Sequence, residues 1–152
     1  MKIELRAISE ADFPTLFEYQ RDPVAVAMSS ASTRERDAFV AHWLSILSNP
    51  DVMARAIVCD GLLAGNLSSF DRLGKREVGY WLGREFWGRG IATAALRLYL
   101  DEETVRPLWA RVAPQNAASL RVLAKCGFVV TGRERFPLTP DDPVEDFVLN
   151  LP

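Results

Sequence analysis

The sequence predicts a mixed α/β fold in one domain, and three observations carry that expectation. Strand-like and helix-like hydrophobic patterns alternate along the 152 residues, with turn signals at each change. Asp60-Gly61 separates two extended apolar runs and is the strongest short hairpin signal in the chain. The apolar run that closes at Leu82 enters a glycine-bracketed turn, Gly88-Arg89-Gly90, and leaves it as a helix. A chain of this length buries about two thirds of its unfolded surface, so residues 1–152 read as a single domain that needs no covalent or metal staple.

Ile3 to Arg6 reads as an opening strand. Ser9-Glu10-Ala11-Asp12 starts a helix with an acidic first turn, and Phe13, Leu16, Phe17 and Tyr19 continue it at helical spacing until Asp22-Pro23. The segment up to Ala31 reads as a loop or short helix. Ser32-x-x-Glu35 has the form of a capping box ahead of Phe39, Trp43, Leu44 and Leu47, whose helical spacing stops at Asn49-Pro50. Residues 55–59 and 62–70 flank Asp60-Gly61 as strands, residues 71–76 read as a second turn, and residues 77–82 form the strand before the glycine turn. The helix that opens near Gly90 or Ile91 offers Ala94, Ala95, Leu98 and Tyr99 to a sheet. Arg106-Pro107 separates it from a strand, Leu108–Val112, which hands over to a helix at Asn116. Gly127 reads as a left-handed C-cap, residues 128–131 and 145–151 as strands, and residues 137–143 as a turn-rich excursion.

Composition narrows the function. Hydrophobic residues make up 49% and charged residues 25%, the balance of a soluble globular protein. No run approaches the ~20 apolar residues of a membrane span, and residues 1–13 lack the apolar core of a secretion signal. The expectation is therefore a cytoplasmic protein that engages no membrane. Its 18 basic and 20 acidic residues are mixed along the chain, which argues against nucleic-acid binding. Two cysteines and one histidine have no metal-ligand spacing, so no metal is expected. Cys59 and Cys126 read as small core fillers, and His42, beside Phe39, Trp43 and Ile46, as structural or solvent-facing.

The glycine turn is where chemistry enters. Gly88 and Gly90 remove the side chains that would keep an anion from the backbone, and the first amides of the following helix have no intrahelical acceptor. These donors and the positive end of the helix dipole favour a phosphate or pyrophosphate. A short G-x-G before a helix is also an ordinary turn, so this feature alone leaves both readings open. Arg84 and Arg89 stand open between phosphate contact and solvated surface, while Arg97 reads as a solvated helix face.

A second signature, NAASLRVLAKCGF at residues 116–128, joins the first. Together the two resemble the acetyl-CoA-binding core of the Gcn5-related N-acetyltransferases (GNAT), particularly the branch that acetylates ribosomal-protein N-termini. The family loop, Gln/Arg-x-x-Gly-x-Gly/Ala, is matched by residues 87–92 except at Trp87, a departure this branch often shows. The resemblance implies a twisted, mostly antiparallel sheet of six to seven strands, helices on both faces, and a splayed central strand pair. It implies that pantetheine lies along the strand ending at Trp81 and Leu82. The pyrophosphate meets amides of Gly88, Arg89, Gly90, Ile91, Ala92 and Thr93, and Asn116 holds the arm from the other side. Asn116 is equally a favoured N-cap residue, and the two roles are compatible.

Acetyl transfer requires a neutral amine, donors for the developing oxyanion, and a proton for the departing thiolate. Glu77 is the candidate base, directly or through water, with a polar strand end as its structural alternative. It shares a strand face with Gly79 and Trp81, while Val78, Tyr80 and Leu82 take the other. A backbone N–H near Leu82 is the oxyanion donor. Many relatives carry a tyrosine seven residues after the asparagine and some a glutamate five residues before it. Those positions are Leu123 and Arg111 here, so the commonest acid–base pair is absent. Ser119 is the proposed proton donor or thiolate partner, its alternative an exposed helix serine; Tyr80 is a further candidate, its alternative a core aromatic. The expected activity is acetyl transfer from acetyl-CoA to a primary amine, either a protein N-terminus or a small molecule, by an enzyme open to homodimer formation. The rival reading is a catalytically weak or inactive acyl-CoA-binding protein of the same fold.

Overall fold

Two tight hairpins build half of the sheet. In this computed structural model, which describes residues 1–29, 33–135 and 145–152, strands β2 (Met53–Cys59) and β3 (Leu62–Arg72) turn through Asp60 and Gly61 at φ 50° and 82°. β3 and β4 (Lys75–Leu82) turn through Leu73 and Gly74 at φ 51° and 78°. The broad turn expected over residues 71–76 is thus a two-residue one, missed because a leucine at positive φ carries no turn signature.

With β1 (Ile3–Arg6), β5 (Leu108–Val112), β6 (Val129–Glu134) and β7 (Asp146–Leu151), the described residues form a seven-stranded sheet ordered β1-β2-β3-β4-β5-β7-β6. Every neighbouring pair is antiparallel except β4 and β5, which run parallel and are registered only at Glu77 and Trp109. The mostly antiparallel sheet with a splayed central pair is therefore present.

Helices cover both faces. A 3₁₀ turn (Glu10–Asp12) leads into α1 (Phe13–Arg21), followed by α2 (Pro23–Met28) and α3 (Arg36–Ser48); α4 (Ile91–Glu102) and α5 (Ala117–Lys125) come later. On one face Phe13, Leu16, Phe17, Phe39 and Trp43 pack with Ile8 and Ala56. On the other, Ile91, Ala95, Leu96 and Tyr99 of α4 pack with Ile57, Leu67, Leu108 and Leu149. The neighbours Ala56 and Ile57 serve opposite cores because successive strand side chains alternate across the sheet.

Four details differ from the sequence reading. Pro23 ends α1 and also opens α2, with the Asp22 carboxylate accepting the Val24 N–H at 3.0 Å. α4 buries Leu96 and leaves Leu98 at 41% exposure, because the stripe set by Ile91, Ala95 and Tyr99 passes over Leu96. On α3, Phe39 and Trp43 are buried while Leu44 and Leu47 are exposed. α3 has Glu35 as its N-cap and not Ser32, which is itself outside the described residues, as is the excursion at residues 137–143.

Two buried carboxylates fasten elements to the sheet. Asp12 accepts both Arg6 guanidinium nitrogens at 2.8 Å and the Ser9 N–H at 2.9 Å, and the Arg6 contact holds its carboxyl below the usual range. Glu103 accepts the Ser69 hydroxyl and Arg76 Nε, each at 2.6 Å. Burial pushes the Glu103 carboxyl up, but those hydrogen bonds together outweigh it and leave it lowered. A native value below the unfolded one contributes stability that is complete above the ordinary carboxylate range and is lost as pH falls through the lowered value. Asp12→Asn should therefore cost ~1–2 kcal/mol at neutral pH. Its stability should also fall less steeply than that of the parent in chemical denaturation from pH 7 down through the acid range.

Candidate active site

The site begins where β4 and β5 stop pairing. Gly83 N–H donates to Ala64 O at 2.8 Å, so antiparallel alternation turns the main-chain N–H and C=O of Leu82 away from β3, toward the gap. The Leu82 carbonyl there accepts Trp87 Nε1 at 3.0 Å, which ties the following loop back onto the strand. Trp87, the departure from the family loop, thus has a structural contact of its own. Trp81 pairs with Asn66 on β3 and anchors α1 through its indole, which donates to Tyr19 O at 2.9 Å.

A cleft of about 370 Å³ extends from the gap. Tyr80, Trp81 and Leu82 line one wall, Asn116, Ser119 and Val122 of α5 the other, and the turn with the start of α4 the base. Gly88 and Gly90 have φ 72° and 78°, and a Cβ on either would meet nothing within 4 Å. The positive φ selects glycine, and the space above both backbones is open. Gly90 is the N-cap of α4, whose first helical bond runs from Ala94 N–H to Gly90 O at 3.1 Å. The N–H groups of Ile91, Ala92 and Thr93 precede that bond, and all three residues line the cleft.

The basic residues near the turn divide. Arg84 pairs with Asp22 at 3.1 Å, Arg89 stacks 5.7 Å from the Phe86 ring centroid, and Arg97 donates to Lys125 O at 3.3 Å. Instead, Arg121 and Lys125 of α5 line the cleft. The sequence reading missed them, although the spacing of Ala118, Arg121, Val122 and Lys125 marks one helical face. Asn116 is an N-cap, its Oδ1 accepting the Ser119 N–H at 3.1 Å, and it also lines the cleft.

A second cavity of about 300 Å³ shares Tyr80, Trp81, Asn116 and Ser119 with the first and continues to Arg72, Arg111 and Asp146. Ser119 therefore stands on the wall common to both, and Tyr80 Oη donates to its Oγ at 3.0 Å. Burial pushes the Tyr80 phenol up, and the Ser119 hydrogen bond offsets part of that shift. Glu77, 6% exposed, lines neither cavity. Its two oxygens meet Arg111 Nε at 3.0 Å and Arg72 Nη2 at 2.5 Å, and Arg111 continues to Glu134 at 2.6 Å. Arg111 therefore pairs with the carboxylate on the adjacent strand, while Leu123 is buried in the core. Cys59 is also buried, and burial raises the Cys126 thiol, so neither is an activated nucleophile. Half-buried His42 is lowered, by burial first and then by Arg34, and lines neither cavity. Among the described residues no group of three or more side chains is arranged to hold a metal, and no helix is long and apolar enough to cross a membrane.

The sequence matches the family described as "Acetyltransferase (GNAT) domain" over residues 2–129. It is 30% identical over 114 residues to a Bacillus subtilis (strain 168) protein named "Putative ribosomal N-acetyltransferase YdaF", a match covering 70% of this chain and 62% of that one. The chain spans between 35% and 62% of the lengths of the curated relatives it matches. Its fold is shared by a GNAT-family acetyltransferase from Bacillus anthracis at TM-score 0.83 and 16% identity, covering 99% of this chain and 94% of that one. The aminoglycoside acetyltransferase AAC(6')-Ib, solved with coenzyme A, superposes at TM-score 0.76 and 22% identity, covering 97% and 94%.

Removing the Asn116 cap leaves the Ser119 N–H without its side-chain acceptor. Asn116→Ala should destabilise the protein by about 1 kcal/mol, read as a lower denaturation midpoint with an unchanged denaturant slope.

Proposed function

The chain belongs to the acetyltransferase (GNAT) family, and from that premise we propose that it transfers an acetyl group from acetyl-CoA to a primary amine by direct attack in a ternary complex. One observation carries the proposal: the opening between β4 and β5 leads directly to the uncapped amides at the start of α4. A diphosphate on the amides of Ile91, Ala92 and Thr93, above Gly88 and Gly90, satisfies donors that the helix cannot. Arg121 and Lys125 add positive charge along the same cleft. The pantetheine arm then lies along the gap edge of β4 as an added strand, with Asn116 opposite.

In the reaction, the neutral amine nitrogen attacks the thioester carbon and the carbonyl electrons move onto oxygen, facing the Leu82 N–H. Collapse breaks the C–S bond, with its electron pair going to sulfur and a proton from the Ser119 hydroxyl completing the thiol. The amine loses a proton through water to Glu77, whose oxygens are already engaged by Arg72 and Arg111 and lie outside both cavities. An α-amino group, with a pKa of about 7.7–8.0 against about 10.4 for lysine, needs little help to become neutral, which favours a protein N-terminus or similarly weakly basic amine. Holding the two reactants together supplies several kcal/mol, so this site works without a strong base in direct contact. The net charge of −2, with both signs mixed along the chain, offers no basic run for nucleic acid.

Two measurements test this reading. Acetyl-CoA should raise the thermal midpoint where NAD and ATP do not, and a panel of amines should release free thiol only when protein, amine and acetyl-CoA are all present. Stabilisation without thiol release from any amine would establish the binding-protein alternative instead. Glu77→Gln should lower kcat at least tenfold, read at saturating acetyl-CoA. An unchanged kcat from pH 6 to 9 would remove Glu77 from proton transfer.

A further inference from the structure

The Ser119 hydroxyl is backed by a phenol from the opposite wall. Strand alternation turns Tyr80 toward the α4 and α5 face, and its Oη donates to Ser119 Oγ at 3.0 Å across 39 residues of sequence. The direction of this bond matters. A hydroxyl that accepts from Tyr80 through its oxygen keeps its own hydrogen for a third atom, and Ser119 lines the cleft where that atom would sit. Tyr80, like Ser119, lines both cavities.

We propose that Tyr80 is a positioning residue for acetyl transfer, orienting the Ser119 hydroxyl toward the departing sulfur and restoring the proton that Ser119 gives up. This rests on the acetyltransferase reading above. As the C–S bond breaks, sulfur takes the electron pair and the Ser119 proton, Ser119 Oγ takes the Tyr80 proton, and the phenolate recovers through water the proton that the acetylated nitrogen shed to Glu77. The amine proton thereby ends on the thiol, and no other reactant is consumed.

The test uses the intact protein with acetyl-CoA and whichever amine gives turnover. Tyr80→Phe, which keeps the ring, should lower kcat about 10- to 100-fold with the KM for acetyl-CoA within about twofold. Ser119→Ala should do the same, and the double variant should be no slower than Ser119→Ala alone. Fluorotyrosines incorporated at position 80 preserve packing and hydrogen bonding while making the phenol more acidic, and kcat should rise in the order of that acidity. A purely structural tyrosine would leave kcat indifferent to fluorination. Indifference, or a Tyr80→Phe variant as fast as the parent, overturns the assignment while leaving acetyl transfer standing. Absence of amine-dependent thiol release by the parent protein overturns both.

Discussion

The whole arrangement depends on one buried carboxylate at the point where two parallel strands part. Glu77 on β4 meets Arg72 from β3 and Arg111 from β5, and its own position is the registered pair between β4 and β5. A group this buried is costly unless paired, and removing one partner of such a pair typically costs about 3–5 kcal/mol, against ~0–1 kcal/mol for a surface ion pair. The strands are thus pinned at one end by charge. Beyond the pin, β4 turns backbone groups into open space instead of onto β5, the condition for an extended ligand to lie there.

α4 makes use of that opening because its two ends are treated differently. At its C-terminal end the Tyr99 hydroxyl lies 2.6 Å from both Met53 O and Ser69 Oγ, while Glu103 joins Ser69 to Arg76. Burial pushes the Tyr99 phenol to about 12, keeping it a neutral hydrogen-bonding group at physiological pH. The N-terminal end instead follows two positive-φ glycines, and its first residues, whose amides lack an intrahelical acceptor, line the cleft. Fixing one end of a rigid helix defines where the other end's dipole acts, so the anion site we propose there would inherit its precision from contacts near β2 and β3.

Local chemistry was legible in the sequence, and long-range pairing was not. Asp60-Gly61, the Gly88–Gly90 turn, the Asn116 cap and Gly127 each announce a backbone conformation through the residue that tolerates it. Leu73-Gly74 adopts the same kind of turn without announcing it. Helical spacing placed α4 but did not distinguish Leu96 from Leu98, since the sheet beneath decides which side of the stripe is filled. Glu77 and Ser119 were singled out by their positions in the sequence, whereas their partners came from elsewhere in the chain. Arg111 lies 34 residues from Glu77 and Tyr80 lies 39 from Ser119, separations that only the sheet order brings together. Arg121 and Lys125 were overlooked for another reason: their helical face gains meaning only once a cleft lies beside it.

The last constraint concerns how a ligand enters. α2 contributes Ala25 and Met28 to the lining of the cleft and is tied on both sides: Asp22 to Arg84 after β4, and Ala27 O to Gln115 before α5. The Arg84 and Gln115 contacts are exposed and of a kind worth about 1 kcal/mol or less each. A ligand bound even at micromolar affinity gains about 8 kcal/mol. Breaking both tethers would cost a minor fraction of that, so these contacts alone would not bar a ligand from the cleft. The stiffness needed to orient reactants comes from the charged pin and anchored helix, and these take no part in admitting the ligand.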